Sequence, residues 1–178
     1  MRYLTYSAGQ TRKIGEVFAK KIKKIMSSKG RALVIGLKGE LGGGKTTFLQ
    51  GFAKGLKIKE KILSPTFILM RKFSIPQGKN EKSKKFLPLK FKYFYHIDCY
   101  RIKDSGEILG LGFNKIISDP QNIIAIEWAD RVRKILPKNT LMLEFEFINK
   151  NTRRIAVKPK NNLEQKLIKA SFKSEKRF

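Results

Sequence analysis

Residues 31–48 read Arg31-Ala32-Leu33-Val34-Ile35-Gly36-Leu37-Lys38-Gly39-Glu40-Leu41-Gly42-Gly43-Gly44-Lys45-Thr46-Thr47-Phe48. Arg31 to Leu37 is a short apolar run without alternation, the pattern of a strand buried on both faces. Gly39-x4-Gly44-Lys45-Thr46 then has Walker A spacing, and a helix is predicted from Thr46 to about Lys54, stopped by Gly55. Glycines 42, 43 and 44 let consecutive N–H groups converge on one oxyanion without Cβ atoms in the way. The start of the helix adds free N–H groups and roughly half a positive charge. In this geometry Lys45 bridges β- and γ-phosphates, the Thr46 hydroxyl enters a Mg²⁺ shell, and Thr47 reaches the α-phosphate. A Gly-rich turn that merely opens a helix is the plainer alternative, but strand before and helix after is the context phosphate binding requires. The motif alone names neither base, reaction nor acceptor.

Upstream, Gln10 to Ser27 reads as an amphipathic helix, with Ile14, Val17, Phe18, Ile22, Ile25 and Met26 near three- and four-residue spacings. Downstream, Ser64-Pro65-Thr66 precedes a β-rich run, Phe67 to Met70. Residues 71–92 read as a loop or ribbon with eight cations (Arg71, Lys72, Lys79, Lys82, Lys84, Lys85, Lys90 and Lys92) against one acid, Glu81. Pro76-Gln77-Gly78-Lys79-Asn80 within it is turn chemistry. Phe91 to Ile97 and Ile123 to Ile126 are short apolar strands. Leu141 to Ile148 and Arg153 to Val157 alternate more and read as antiparallel strands joined through Asn149-Lys150-Asn151.

With only 14 acids in the chain, their positions are informative. Asp98 follows Phe94-Tyr95-His96-Ile97, and Glu127 follows Ile123 to Ile126. In an open parallel sheet the C-terminal strand edge is where ligands bind. A carboxylate there can hold Mg²⁺ or orient the water that attacks a γ-phosphate. Each acid could instead cap the next turn or pair with Arg101 or Arg131. His96, the sole histidine, is read as a structural hydrogen-bonder rather than a base, and Trp128 as packing beside the site. Ser64-Pro65-Thr66 is a simple turn, or a switch if it lies near the γ-phosphate. Cys99 carries no assignable chemistry.

The 178 residues suit one domain. We expect 1–160 to form the P-loop unit and 161–178 a basic tail with helical character at its start. Hydrophobic residues are 41% and charged residues 30%, a globular rather than disordered balance. No apolar run approaches the roughly 18 residues of a membrane span, so no membrane role is expected. Met1 to Tyr6 passes into a polar segment and does not read as a signal peptide. One cysteine excludes an intrachain disulfide and a multi-cysteine metal site, and a reducing cytoplasm fits. The net charge of +26 admits a nucleic-acid-binding face. Lysine far outnumbers arginine, however, which reads as basic drift of exposed positions rather than enrichment of the better base and phosphate reader.

Taken in order, these segments resemble the TsaE (YjeE) family, small bacterial ATPases required for threonylcarbamoyladenosine in transfer RNA. The matching stretches are Gly39 to Phe48, Ser64 to Phe67, His96 to Arg101, Glu107 to Leu111, Ile126-Glu127-Trp128 and Leu136-Pro137. The resemblance implies a three-layer α/β P-loop sandwich, mainly parallel at its centre, with antiparallel strands added near the C-terminus. It implies that Leu41, Gly42, Gly43, Gly44, Lys45 and Thr46 contact the phosphates of ATP, and that Thr46 and Glu127 hold Mg²⁺. It gives Asp98 a role in hydrolysis, makes Ser64, Pro65 and Thr66 a switch loop, and sets Ser7 to Thr11 near adenine. The implied partners are the metal-dependent threonylcarbamoyl-transferase and its catalytically inactive homologue, with tRNA engaged indirectly. Gly43 stands where the family usually has alanine, Cys99 replaces a larger aliphatic residue, and the lysine-rich stretch and basic tail look long.

Two other functions fit the loop alone. A kinase for a small-molecule or nucleoside acceptor needs an acceptor pocket and an arginine-bearing lid, and residues 71–92 offer only Arg71. A nucleic-acid module that uses nucleotide as a switch would show steep salt dependence in tRNA binding.

Overall fold

A computed structural model describes residues 1–25, 30–64, 68–77 and 91–172. Among the described residues, seven strands form one sheet: β1 (Arg2–Thr5), β2 (Leu33–Gly39), β3 (Met70–Ser74), β4 (Tyr93–Asp98), β5 (Asn122–Glu127), β6 (Leu141–Phe147) and β7 (Arg153–Val157). Their order across the sheet is β1-β7-β6-β2-β5-β4-β3. The phosphate-loop strand β2 lies at its centre, parallel to β5 on one side and β6 on the other, while β4 is parallel to β5. β1, β7 and β3 are antiparallel to their neighbours. The expected α/β architecture, parallel at the centre with antiparallel additions, is the observed one.

Burial explains the strand patterns. All six residues of β5 and the first five of β2 are buried, because helices cover both faces of the parallel centre. β6 alternates buried and more exposed positions, as a strand nearer the rim does. One face of the sheet carries α1 (Ala8–Ile25), α2 (Lys45–Gly55) and α5 (Asn162–Phe172). Phe18, Phe48, Phe52, Phe94 and Phe145 interlock there at centroid distances such as 5.5 Å for Phe48–Phe145 and 5.6 Å for Phe52–Phe94. The other face carries the short helices α3 (Gly106–Gly110) and α4 (Phe113–Ser118) and a 3₁₀ helix over Ala129–Ile135. Its core holds Val34, Ile97, Ile124, Ile126, Phe113 and Val132.

α1 and α2 approach closely because glycines face each other's backbone. A Cβ on Gly51 would sit 1.8 Å from the Arg12 carbonyl oxygen, and one on Gly15 2.1 Å from that of Phe48. This packing fixes the axis of α2, and hence the direction its N-terminus points.

The structure adds to and shifts the sequence expectations. β1 was not foreseen; it pairs with β7 and extends the sheet. Arg71 and Lys72, expected in a loop or ribbon, lie in β3, an edge strand whose Phe73 is buried while Lys72 faces outward over the Tyr93 ring at 3.7 Å. Edge strands tolerate and often carry such charges. Residues 78–90 of the lysine-rich stretch lie outside the described residues. β6 belongs to the expected hairpin and also pairs in parallel with β2. In α5, Leu167 and Ile168 are fully buried in the core beside α1. Among the described residues, no helix is long and apolar enough to cross a membrane.

Candidate functional site

β2 delivers the chain to the sheet's C-terminal edge at Gly39, where φ is +126° and a Cβ would lie 1.9 Å from the Phe145 carbonyl oxygen. Only glycine fits that position. Gly42 (φ +72°) and Gly44 (φ +95°) complete the turn into α2, whose first turn carries no acid to offset its positive end. The Lys45 ammonium lies 2.7 Å from the carbonyl oxygens of both Gly39 and Glu40, and 3.9 Å from the Trp128 ring centroid. The Gly43 amide also donates to the Glu40 carbonyl, at 3.2 Å. One carbonyl oxygen thus draws the cation and amide that the motif reserves for a phosphate oxygen. Lys45 is only 5% exposed, and burial lowers its pKa, opposed by the nearby Glu127 and Asp98 carboxylates.

Facing the loop are the ends of β4 and β5. Their parallel register sets Asp98 beside Glu127, and both are buried. The Thr46 hydroxyl reaches the Glu127 carboxylate at 2.8 and 2.9 Å from its two oxygens. His96, fully buried, also bonds Glu127 Oε1, at 2.8 Å. A carboxylate only accepts, so Nε2 carries the proton. Asp98 Oδ1 accepts the Tyr100 amide at 2.9 Å, and Oδ2 accepts the Ser64 hydroxyl. Trp128, next after Glu127, has φ +57°, a conformation rare outside glycine. Its ring packs on Tyr100 at 5.1 Å, with Arg131 over both. Among the described residues, no three His, Cys, Asp or Glu side chains are grouped so that they could hold a metal ion between them. A cation here would therefore take few protein ligands, as Mg²⁺ does when phosphates and water supply the rest. Thr46 and Glu127 fit that role.

The family description "Threonylcarbamoyl adenosine biosynthesis protein TsaE" matches residues 5–155. The chain belongs to the TsaE family. The tRNA threonylcarbamoyladenosine biosynthesis protein TsaE of Haemophilus influenzae is 27% identical over 158 residues, covering 89% of each chain. Its counterpart in Treponema pallidum is 30% identical over 157 residues, covering 88% of this chain and 99% of that one. The crystal structure of Bacillus subtilis YdiB superposes with a TM-score of 0.68 at 22% identity, covering 98% and 95% of the two chains, and so shares the fold.

The TsaE match spans every candidate site residue and ends before α5. Lys45, Thr46, Ser64, Asp98 and Glu127 meet at one edge of the sheet, joined by His96 and Trp128. Thr47 points elsewhere: with Ser7, Thr11, Gly44, Asn151 and Arg153 it lines a cleft of about 230 Å³. Pro65 and Thr66 lie outside the described residues. Leu41 is 77% exposed. Burial, reinforced by Asp98, pushes the Cys99 thiol up to about 12, so it is no nucleophile near neutral pH. The β6–β7 hairpin was missed as a site element. Arg153 touches the phosphate loop across more than a hundred residues of sequence, and only strand order brings them together.

Proposed function

We propose that this TsaE protein binds ATP with Mg²⁺ and hydrolyses it, in the cytoplasm, in support of threonylcarbamoyladenosine formation on tRNA. The observation carrying this is the Thr46 hydroxyl meeting the Glu127 carboxylate at 2.8–2.9 Å beside the Lys45 ammonium. Lys45 leaves the Gly39 and Glu40 carbonyls and takes phosphate oxygens, relieving a buried cation of its lack of a full counter-charge. Thr46 and Glu127 hold the metal, with His96 fixing the carboxylate's orientation. Bound Mg²⁺ supplies charge neutralisation at the β- and γ-phosphates. Asp98 orients the water whose oxygen bonds the γ-phosphorus as the bond to ADP breaks.

Both Asp98 oxygens accept hydrogen bonds within the protein, from Tyr100 and Ser64. That supports slow turnover alone, with Ser64 leaving when partners remodel the switch segment of Ser64, Pro65 and Thr66. The proposed partners are the threonylcarbamoyl-transferase and its inactive homologue, which hydrolysis resets rather than replaces; tRNA is engaged through them. The test is phosphate release from ATP, with and without the transferase pair, for wild type and Lys45→Ala. The expected result is slow release alone, acceleration by the pair and loss in the variant. Equal release by Lys45→Ala, or phosphate delivered to a small-molecule acceptor instead of water, overturns it.

A further inference from the structure

Arg153 opens β7, just beyond the Asn149-Lys150-Asn151 turn. Its Nε donates to the Gly42 carbonyl of the phosphate loop at 2.5 Å, and its Nη1 to the hairpin carbonyls of Asn149 at 2.7 Å and Thr152 at 3.0 Å. The guanidinium lies over the Phe147 ring at 4.4 Å. A planar group held on two edges and one face has little freedom left. Its Nη2 donates to none of the described residues, and none of their carboxylates pairs with it. The neighbouring Arg154, by contrast, is spent on Glu146 at 2.8 Å. A positioned, half-buried cation with one unused donor edge is built to receive an anion.

The position says which anion. Arg153 lines the cleft with Gly44 and Thr47, from the loop and first turn of α2, and with Ser7 and Thr11 from the start of α1. Thr46, Asp98 and Glu127, the groups facing the terminal phosphate, do not line it. The cleft therefore meets the phosphate chain at its nucleoside end. Through the trans peptide 42–43 the Gly42 carbonyl and the Gly43 N–H point opposite ways. Pulling the carbonyl toward Arg153 therefore aims that N–H into the loop, where it now meets Glu40.

We propose that Arg153 is a nucleotide-binding residue of the β6–β7 hairpin, holding the phosphate nearest the nucleoside while fixing the Gly42 peptide of the loop. The inference rests on the nucleotide reading above. Acting at that phosphate, Arg153 serves ATP and ADP alike, unlike an arginine that meets only the γ-phosphate.

The test is calorimetric titration of wild type, Arg153→Ala and Arg153→Lys with ATP and with ADP, alongside kcat, KM and melting of the unliganded proteins. The expected result for Arg153→Ala is a Kd raised about tenfold for both nucleotides, with any fall in kcat smaller than the rise in KM. Arg153→Lys falls between, because it keeps the charge but cannot serve loop and phosphate together. Wild-type affinity in Arg153→Ala overturns the proposal, as does a loss confined to ATP or to kcat. Should the alanine variant fail to fold, the lysine variant decides: unchanged Kd for both nucleotides overturns it, and a raised Kd for both supports it. A wild-type protein that binds neither nucleotide sinks the function proposed above rather than this residue's place in it.

Discussion

Between Gly39 and Lys45 the site is made of backbone; across from it, between Asp98 and Glu127, it is made of side chains. The loop owes its shape to positive φ at three glycines and to a carbonyl of β6 packed where a Cβ would be. The acids owe theirs to the register of two parallel strands and to hydrogen bonds from Thr46, His96, Ser64 and Tyr100. A site made of backbone depends on conformation and tolerates little change in residue size. One made of side chains tolerates backbone variation and fails one functional group at a time. Lys45 works on both, since it caps the loop carbonyls and feels the acids through space.

The largest expected effect is therefore at Lys45. Lys45→Ala should lower ATP hydrolysis about a thousandfold, the scale of removing a principal charge stabiliser, with the fold retained because the lost bonds go only to loop carbonyls. Phosphate release and thermal melting measured together check both halves. Next comes Glu127→Ala, for which Mg²⁺-dependent turnover should fall about a hundredfold and added chelator should make little further difference. A rate like wild type would move the metal elsewhere.

The backbone half is probed by Gly39→Ala, expected to cost about 2–3 kcal/mol of stability through the clash with Phe145 and the unfavourable φ. Denaturant unfolding measures it, and an unchanged midpoint would show that the loop does not depend on that close approach. Smallest is His96→Ala. It should raise the Mg²⁺ concentration for half-maximal turnover about tenfold, the range for losing a group that orients a metal ligand, while saturating Mg²⁺ restores most of the rate.

The two halves were also unequally legible. The loop is local: one stretch from Leu33 to Phe48 holds strand, turn and helix, so its spacing declares the chemistry. The acids were visible as carboxylates ending apolar runs in a chain poor in acids, yet their meeting with each other and with Thr46 depends on strand order. His96 gave only the sign of a structural role; its contact with Glu127 follows from β4 lying beside β5. α3 and α4, at five and six residues, are too short for a helical period to emerge. β1 and β3 escaped because edge strands carry exposed and charged residues that blur alternation. Arg153 is the extreme case, one of 40 lysines and arginines in the sequence and a neighbour of Gly42 only in three dimensions.

The most direct measurement is calorimetric titration of the folded protein with Mg²⁺·ATP, set beside Lys45→Ala. Saturable one-site binding by wild type, lost or greatly weakened in the variant, is the predicted result. A well-folded wild type that takes up no nucleotide at millimolar concentration, or a variant that binds as tightly, would contradict it.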